Sequence, residues 1–163
     1  GTDRISHKEE HGFELLQGRD CFEGRLLGGC LESLYDILTT TRYEDEKAVC
    51  EKYGLFPGIE EWKDKILFIE TCEEKPVPER FEKEVAILKE KGVFDVVSGV
   101  LVGKPQDEAY YEEYKEILVK VVNRPELPIV YNVNFGHATP RCALQYGVMA
   151  KVDMKKKRIY LDN

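Results

Sequence analysis

The chain has 163 residues, 42% of them hydrophobic and 34% charged, enough for one domain with an ordinary core and a charged surface. A formal net charge of −7 argues against nucleic acid as a partner, because phosphate binding needs clustered Lys and Arg. No apolar run approaches the length of a membrane span and no signal peptide is evident, so the expectation is a cytoplasmic protein with no membrane partner. The five cysteines, Cys21, Cys30, Cys50, Cys72 and Cys142, form no C-x-x-C pair. Neither a metal site nor a disulfide framework is expected from them, and reduced thiols are the simplest reading. No cofactor motif stands out. The chain opens on Gly1-Thr2-Asp3 without an initiator Met, and an upstream portion is expected.

Taken in order, residues 1–12 are polar and predict no element. Residues 13–16 and 21–27 read as two short strands about a Gly18-Arg19-Asp20 turn. Gly28-Gly29 then predicts a tight strand-to-helix turn, or a place where backbone N–H groups approach a ligand. Apolar residues at 31, 34, 37 and 38 have helical spacing. Residues 39–64 are irregular, with a short helix expected over 45–53. Lys65-Ile66-Leu67-Phe68-Ile69-Glu70-Thr71 is the central element, a strand apolar on both faces that ends in a carboxylate.

Proline opens and Gly92 closes a helix over 78–91, with Phe81, Val85, Ala86 and Leu88 as its buried stripe. A strand over 94–102, with its run from Val96 to Val102, ends in Gly103-Lys104-Pro105. That segment lacks the glycine spacing and the Ser or Thr of a nucleotide phosphate loop. Residues 108–124 predict a second helix, with Tyr111, Tyr114, Ile117, Leu118 and Val121 on its packing face. A buried strand over 128–133 leads into Asn134-Phe135-Gly136-His137-Ala138-Thr139-Pro140. Residues 142–152 and 158–161 close the chain as a hairpin, and the basic run Lys155-Lys156-Lys157-Arg158 is its solvated turn. The fold class is α/β. Residues 1–163 are expected to form a single domain with a mixed, largely parallel central sheet, flanking helices and a C-terminal hairpin.

Two residues carry the candidate chemistry. Glu70 stands at the C-terminal end of a buried strand, the edge where ligands gather in open α/β sheets. A carboxylate there costs free energy unless it is paired or hydrated; the alternative is a strand-end glutamate facing water. His137 is the one histidine of three outside the polar amino-terminal stretch of His7 and His11, in a loop that follows a buried strand. Imidazole is the usual general base near neutral pH; a structural, hydrogen-bonded histidine is the alternative. A nucleophile is harder to find. Neither Ser33 nor Ser98 lies in a G-x-S-x-G elbow. Cys30, after Gly28-Gly29 and at a helix start that would lower its pKa, leaves open a self-contained Cys30–His137–Glu70 triad.

These motifs also carry a resemblance. The segment from Glu23 through Gly28-Gly29-Cys30 to Leu34, the run Ile66-Leu67-Phe68-Ile69-Glu70, the stretch 94–103 and Asn134-Phe135-Gly136-His137-Ala138-Thr139-Pro140 resemble the C-terminal half of the LD-carboxypeptidase family. Within that family they look most like the microcin-C self-immunity branch. The two main motifs lie 67 residues apart (137 − 70). The resemblance implies a swivelling β/β/α-type domain of a two-domain serine peptidase with a Ser-Glu-His triad. Glu70 and His137 match its acid and base. Its serine belongs to an N-terminal domain that this chain lacks, so the isolated chain is expected to be inactive. The implied substrates are murein tetrapeptides or aminoacyl-nucleotide amides, hydrolysed by a cytoplasmic, metal-free, commonly homodimeric enzyme. Gly28, Gly29, Cys30, Glu74 and Lys104 fall at substrate-binding positions. Cys30 replaces an Asn of many relatives, Glu74 and Lys104 invert a Lys/Glu pair, and Gln145 replaces a proline. Those departures keep a second reading alive, in which the domain is a non-enzymatic binding or dimerisation module.

Overall fold

The computed structural model describes residues 5–7, 13–39, 59–71, 75–134 and 148–162. Its strands are β1 (Ile5–His7), β2 (Glu14–Gln17), β3 (Cys21–Cys30), β4 (Ile66–Glu70), β5 (Gly99–Gly103), β6 (Ile129–Val133), β7 (Met149–Asp153) and β8 (Arg158–Asp162). The helices are α1 (Leu31–Thr39), α2 (Ile59–Trp62), α3 (Pro78–Glu90), α4 (Val93–Val96) and α5 (Tyr111–Val122), with a 3₁₀ turn at Gln106–Glu108.

One mixed sheet runs in the order β1-β8-β7-β3-β4-β5-β6-β2. Its centre, β3-β4-β5-β6, is parallel throughout. The flanks are antiparallel: β7, β8 and β1 on one side, β2 on the other. The long strand β3 joins the two regimes. Cys21–Arg25 pair with β7, and Leu26–Cys30 pair in parallel with Ile66–Glu70.

The period-two alternation of side chains splits the apolar residues of β4 between two cores. Leu67 and Ile69 face the helices, joining Leu27, Val100, Val102, Phe81, Leu88, Tyr114 and Leu118. Ile66 and Phe68 face the other way, with Leu26, Leu101, Val130, Ala150, Val152 and Ile159. This is why β4 reads as an unbroken apolar run: it has no solvent face. Complete burial of each such side chain contributes roughly 1.5–3 kcal/mol.

On the helical layer, α3 and α5 meet through Phe81 stacked on Tyr114, ring centroids 4.0 Å apart. The Tyr114 hydroxyl donates to the Pro76 carbonyl at 2.5 Å. At the far edge, Gln17 Nε2 donates to the Arg124 and Leu127 carbonyls at 2.7 and 2.8 Å, anchoring β2 to the turn before β6.

Several expectations need correction. Gly28-Gly29-Cys30 is not a turn: β3 runs through Cys30 and α1 begins at the next residue. The strand expected over 94–102 begins only at Gly99, because Val93–Val96 coil into a helical turn. Ser98 lies at the bend between them, its hydroxyl 3.2 Å from the Lys65 carbonyl. In α3 the buried stripe is Phe81, Glu84, Val85 and Leu88, whereas Ala86 is exposed. Ile5–His7, within the stretch expected to be without an element, pair with β8. The second long helix starts at Tyr111 after an irregular turn. The helix expected over 45–53 lies outside the described residues.

Leu67 is fully buried at the sheet centre. Leu67→Ala should cost about 2–5 kcal/mol through lost transfer energy and a residual cavity; urea denaturation monitored by circular dichroism checks this.

Candidate active-site edge

Because β3, β4, β5 and β6 are parallel, their C-terminal ends share one edge of the sheet. That edge carries Cys30, Glu70, Gly103-Lys104 and Val133-Asn134 in strand order. Two strand spacings of roughly 4.8 Å separate β4 from β6, a gap that a loop side chain can bridge. The segment that bears His137 departs from this edge after Asn134. His137 and Glu74 themselves lie outside the described residues.

Glu70 is the candidate acid at this edge. It pairs in register with Cys30 across the β3–β4 ladder and is only partly exposed. Burial holds its carboxyl above the usual glutamate range, since desolvation disfavours the charged form.

One glycine lets β3 approach β4 just before it, and another leaves space beside it. A Cβ on Gly28 would stand 1.9 Å from the Phe68 carbonyl oxygen, and its φ of 152° is one that side-chain-bearing residues avoid. A Cβ on Gly103 would stand 2.9 Å from the Glu70 Cβ. Gly28 therefore permits the β3–β4 approach that sets the register, and Gly103 leaves the space into which Glu70 projects. The sequence reading gave Gly28 a ligand-facing role; the structure supplies a packing reason for it.

Cys30 differs from expectation. It is 6% exposed and disulfide-bonded, so it is not the reduced thiol expected, and in this form it offers no thiolate to a Cys30–His137–Glu70 triad. Cys21 is a free cysteine, and it is exposed, far along β3 from the site edge.

Lys104 is exposed. Its backbone N–H donates to the Val133 carbonyl at 2.8 Å, tying the exits of β5 and β6 together, and its side chain makes no ion pair among the described residues. A neighbouring pair does form: Lys75 Nζ lies 2.6 Å from Asp107 Oδ2, linking the segment after β4 to the one after β5. Both side chains are exposed, so the pair contributes little to stability.

The same edge carries unusual backbone. Asp107, Glu108 and Tyr110 have φ of 54°, 56° and 55°, and Asn132 has φ 68° at the end of β6. Such conformations cost on the order of 1 kcal/mol or more per non-glycine residue and cluster at functional sites. The β5–β6 ladder also shifts register between Leu101 and Gly103, beside Asn132, which redirects the strand leading toward His137. Sequence reasoning missed these positions. Only Asp107 and Asn132 carry a sequence signal, being of the non-glycine types that best tolerate positive φ. Among the described residues, no group of three or more His, Cys, Asp or Glu could hold a metal ion, and no helix is long and apolar enough to cross a membrane.

Comparison with known proteins identifies the family of this chain. Residues 23–152 match the LD-carboxypeptidase C-terminal domain, and the chain belongs to that family. It is 29% identical over 152 residues to the "Putative carboxypeptidase" of Treponema pallidum, covering 91% of this chain and 39% of that protein. Among solved structures it is similar to an MccF-like protein from Streptococcus pneumoniae in complex with AMP. That match has 52% identity and a TM-score of 0.77, covering 99% of this chain and 47% of the other. It is also similar to the microcin C7 self-immunity protein MccF in complex with aspartyl sulfamoyl adenosine. Identity there is 26% and the TM-score 0.62, over 93% of this chain and 40% of the other. The chain thus spans less than half the length of these relatives.

The raised Glu70 pKa fixes the sign of a pH effect. A carboxyl that holds its proton more tightly when folded destabilises the fold as pH rises through its unfolded and then its folded pKa. Glu70→Gln should therefore lose less stability than wild type as pH rises through the glutamate range. The difference should shrink as pH falls below the ordinary glutamate pKa; paired urea melts across pH check it.

Proposed function

We propose that this chain supplies the glutamate and histidine of a Ser-Glu-His hydrolase, completed by a serine in an upstream domain of a longer protein. The observation that carries this reading is the shared sheet edge. Glu70 closes β4 in a partly desolvated position, and the chain leaves β6 for His137 from that same edge. A desolvated carboxylate gains most from a cationic hydrogen-bonding partner, and an imidazolium is what a general base becomes when it takes a proton.

In the reaction, the serine oxygen adds to the carbonyl of a terminal amide while His137 removes its proton. The tetrahedral adduct collapses, the C–N bond breaks, and His137 returns the proton to the leaving amine. Water then attacks the acyl ester by the same route, releasing the acid and the free serine. Glu70 holds the imidazole in the tautomer that presents its free nitrogen to the serine, and it stabilises the imidazolium. The oxyanion donors come mainly from the upstream domain. In this reading the longer protein is a metal-free, cytoplasmic homodimer.

The preferred substrate is an aminoacyl-nucleotide amide. Support comes from the 52% identity to an MccF-like protein that binds AMP and from the MccF complexes with aspartyl sulfamoyl adenosine and glutamyl sulfamoyl guanosine. A murein L,D-tetrapeptide is the competing substrate for the same chemistry. Gly28, Gly29, Cys30, Glu74 and Lys104 are assigned to substrate contact, with the disulfide at Cys30 making that position a rigid wall rather than a hydrogen-bonding amide.

The test is hydrolysis of an aminoacyl sulfamoyl adenylate and of an L,D-tetrapeptide by the longer protein and by this chain alone. Activity confined to the longer protein, greater on the nucleotide, is expected; turnover by the isolated chain would overturn the reading. In the longer protein His137→Ala should lower kcat by on the order of 10⁴-fold. Gly103→Ala should displace Glu70 and lower kcat by roughly 10- to 100-fold while binding of a substrate analogue persists.

A further inference from the structure

Strand β6 breaks the alternation that β4 and β5 keep. Successive residues of a strand point to opposite faces. Ile129, Val130 and Tyr131 obey this, lying in the helical core, the opposite core and the helical core again. Val133, two residues after Tyr131, should share its face. It packs instead in the opposite core, with Phe68, Leu101 and Val130. Both positions are pinned. The Tyr131 hydroxyl donates to the Tyr111 carbonyl at 2.9 Å on the helical side, and the Val133 carbonyl accepts from the Lys104 N–H at 2.8 Å.

The β5–β6 ladder shows where the change occurs. Leu101 pairs with Val130 and Gly103 with Val133, so Tyr131 and Asn132 together stand opposite Val102. That is a one-residue bulge. Asn132 makes it: its φ is 68°, and the residue is 4% exposed. Among the described residues, no other non-glycine position inside a strand lies in the left-handed region. Asn enters that region more readily than most residues, whereas a β-branched side chain resists it. In a regular strand each residue advances the chain by about 3.3 Å and reverses its facing. Taking up one residue in the bulge therefore sets both where the chain leaves the sheet edge and the face from which it leaves.

We propose that Asn132 is a positioning residue of the hydrolase: its left-handed backbone holds the bulge that aims the chain bearing His137 toward Glu70. This rests on the reading of Glu70 and His137 as acid and base. β4 and β6 flank β5 in the sheet, and bulges beside active sites commonly re-aim a side chain. Asn132 itself meets no reacting atom; it acts through where His137 stands. Misplacing a reacting group by about 1 Å can cost on the order of 10²-fold in rate, and loss of the bulge would shift the chain by about 3.3 Å.

The experiment pairs kinetics of the longer protein with NMR titration of the His137 imidazole in the 163-residue chain, its signal assigned by His137→Ala. Asn132→Val, close in size but resistant to positive φ, should lower kcat by about 10²-fold. KM and the affinity for a substrate analogue should change by less than about threefold, because the segment that is displaced carries the base. Asn132→Gly, which keeps the backbone conformation, should recover kcat to within about threefold of wild type. By NMR, Glu70→Gln should lower the His137 midpoint by about one pH unit or more, since it removes the neighbouring anion. In the Asn132→Val background the same substitution should leave the midpoint unchanged. Asn132→Ala, also strained at positive φ, carries the test if the valine variant proves unfolded by circular dichroism. Equal kcat in the glycine variant and a folded valine or alanine variant, or a Glu70 effect on His137 that survives in the latter, would overturn the proposal and leave the hydrolase reading standing. A His137 midpoint indifferent to Glu70 in the wild-type background would overturn that reading, and this inference with it.

Discussion

The close parallel pairing of β3 with β4 is the constraint on which the rest of the structure depends. It exists because residue 28 has no side chain: a Cβ there would collide with the Phe68 carbonyl oxygen at 1.9 Å. With that approach permitted, Leu26–Cys30 lock onto Ile66–Glu70 one to one. The lock sets where α1 begins, and it sets Glu70 opposite Cys30 at the sheet edge. Gly103 completes the arrangement from the other side by leaving space beside the Glu70 Cβ. Of the two residues without side chains, Gly28 lies against Phe68 and Gly103 against Glu70.

The energetics of this arrangement are unequal. Stability comes from the two apolar layers on either side of β4, where Ile66, Leu67 and Ile69 are essentially inaccessible. Against that gain, the molecule keeps a partly buried carboxylate at Glu70 and a nearly inaccessible one at Glu84, both of which cost free energy to ionise. It also keeps positive φ at Asp107, Glu108, Tyr110 and Asn132. These unfavourable features lie at the C-terminal edge of the parallel strands or on the helix beside it. Natural sequences tend to accept local cost at functional sites and to recover it in the core.

Much of this was legible in the sequence. The four-residue apolar run before Glu70 has no polar alternation, which distinguishes a strand covered on both faces, and the helices at 78–90 and 111–122 follow from their apolar spacing and proline or glycine boundaries. The position of Glu70 at a strand end followed from the same pattern. Other features had no local signal. Gly28-Gly29 reads as a turn because glycine pairs commonly punctuate chains; only the carbonyl of a strand some forty residues away explains why they lie inside β3 instead. Phe94–Val96 reads as strand, yet the chain coils there, with Arg124 Nη1 donating to the Phe94 carbonyl at 2.6 Å, a contact from another element. Glu84 reads as a surface residue of a charged helix, and its burial depends on Arg80 one turn earlier. The disulfide at Cys30 could not be inferred from five cysteines without a recognisable spacing.

The central claim is that Glu70 and His137 act as one unit. The most direct measurement is a double-mutant cycle on kcat/KM in the longer protein, with Glu70→Gln, His137→Ala and the pair. If Glu70 works through His137, the double variant should be no slower than His137→Ala alone, because the carboxylate has nothing left to orient. Losses that multiply independently would contradict a shared catalytic unit and leave Glu70 as a structural carboxylate at the end of its strand.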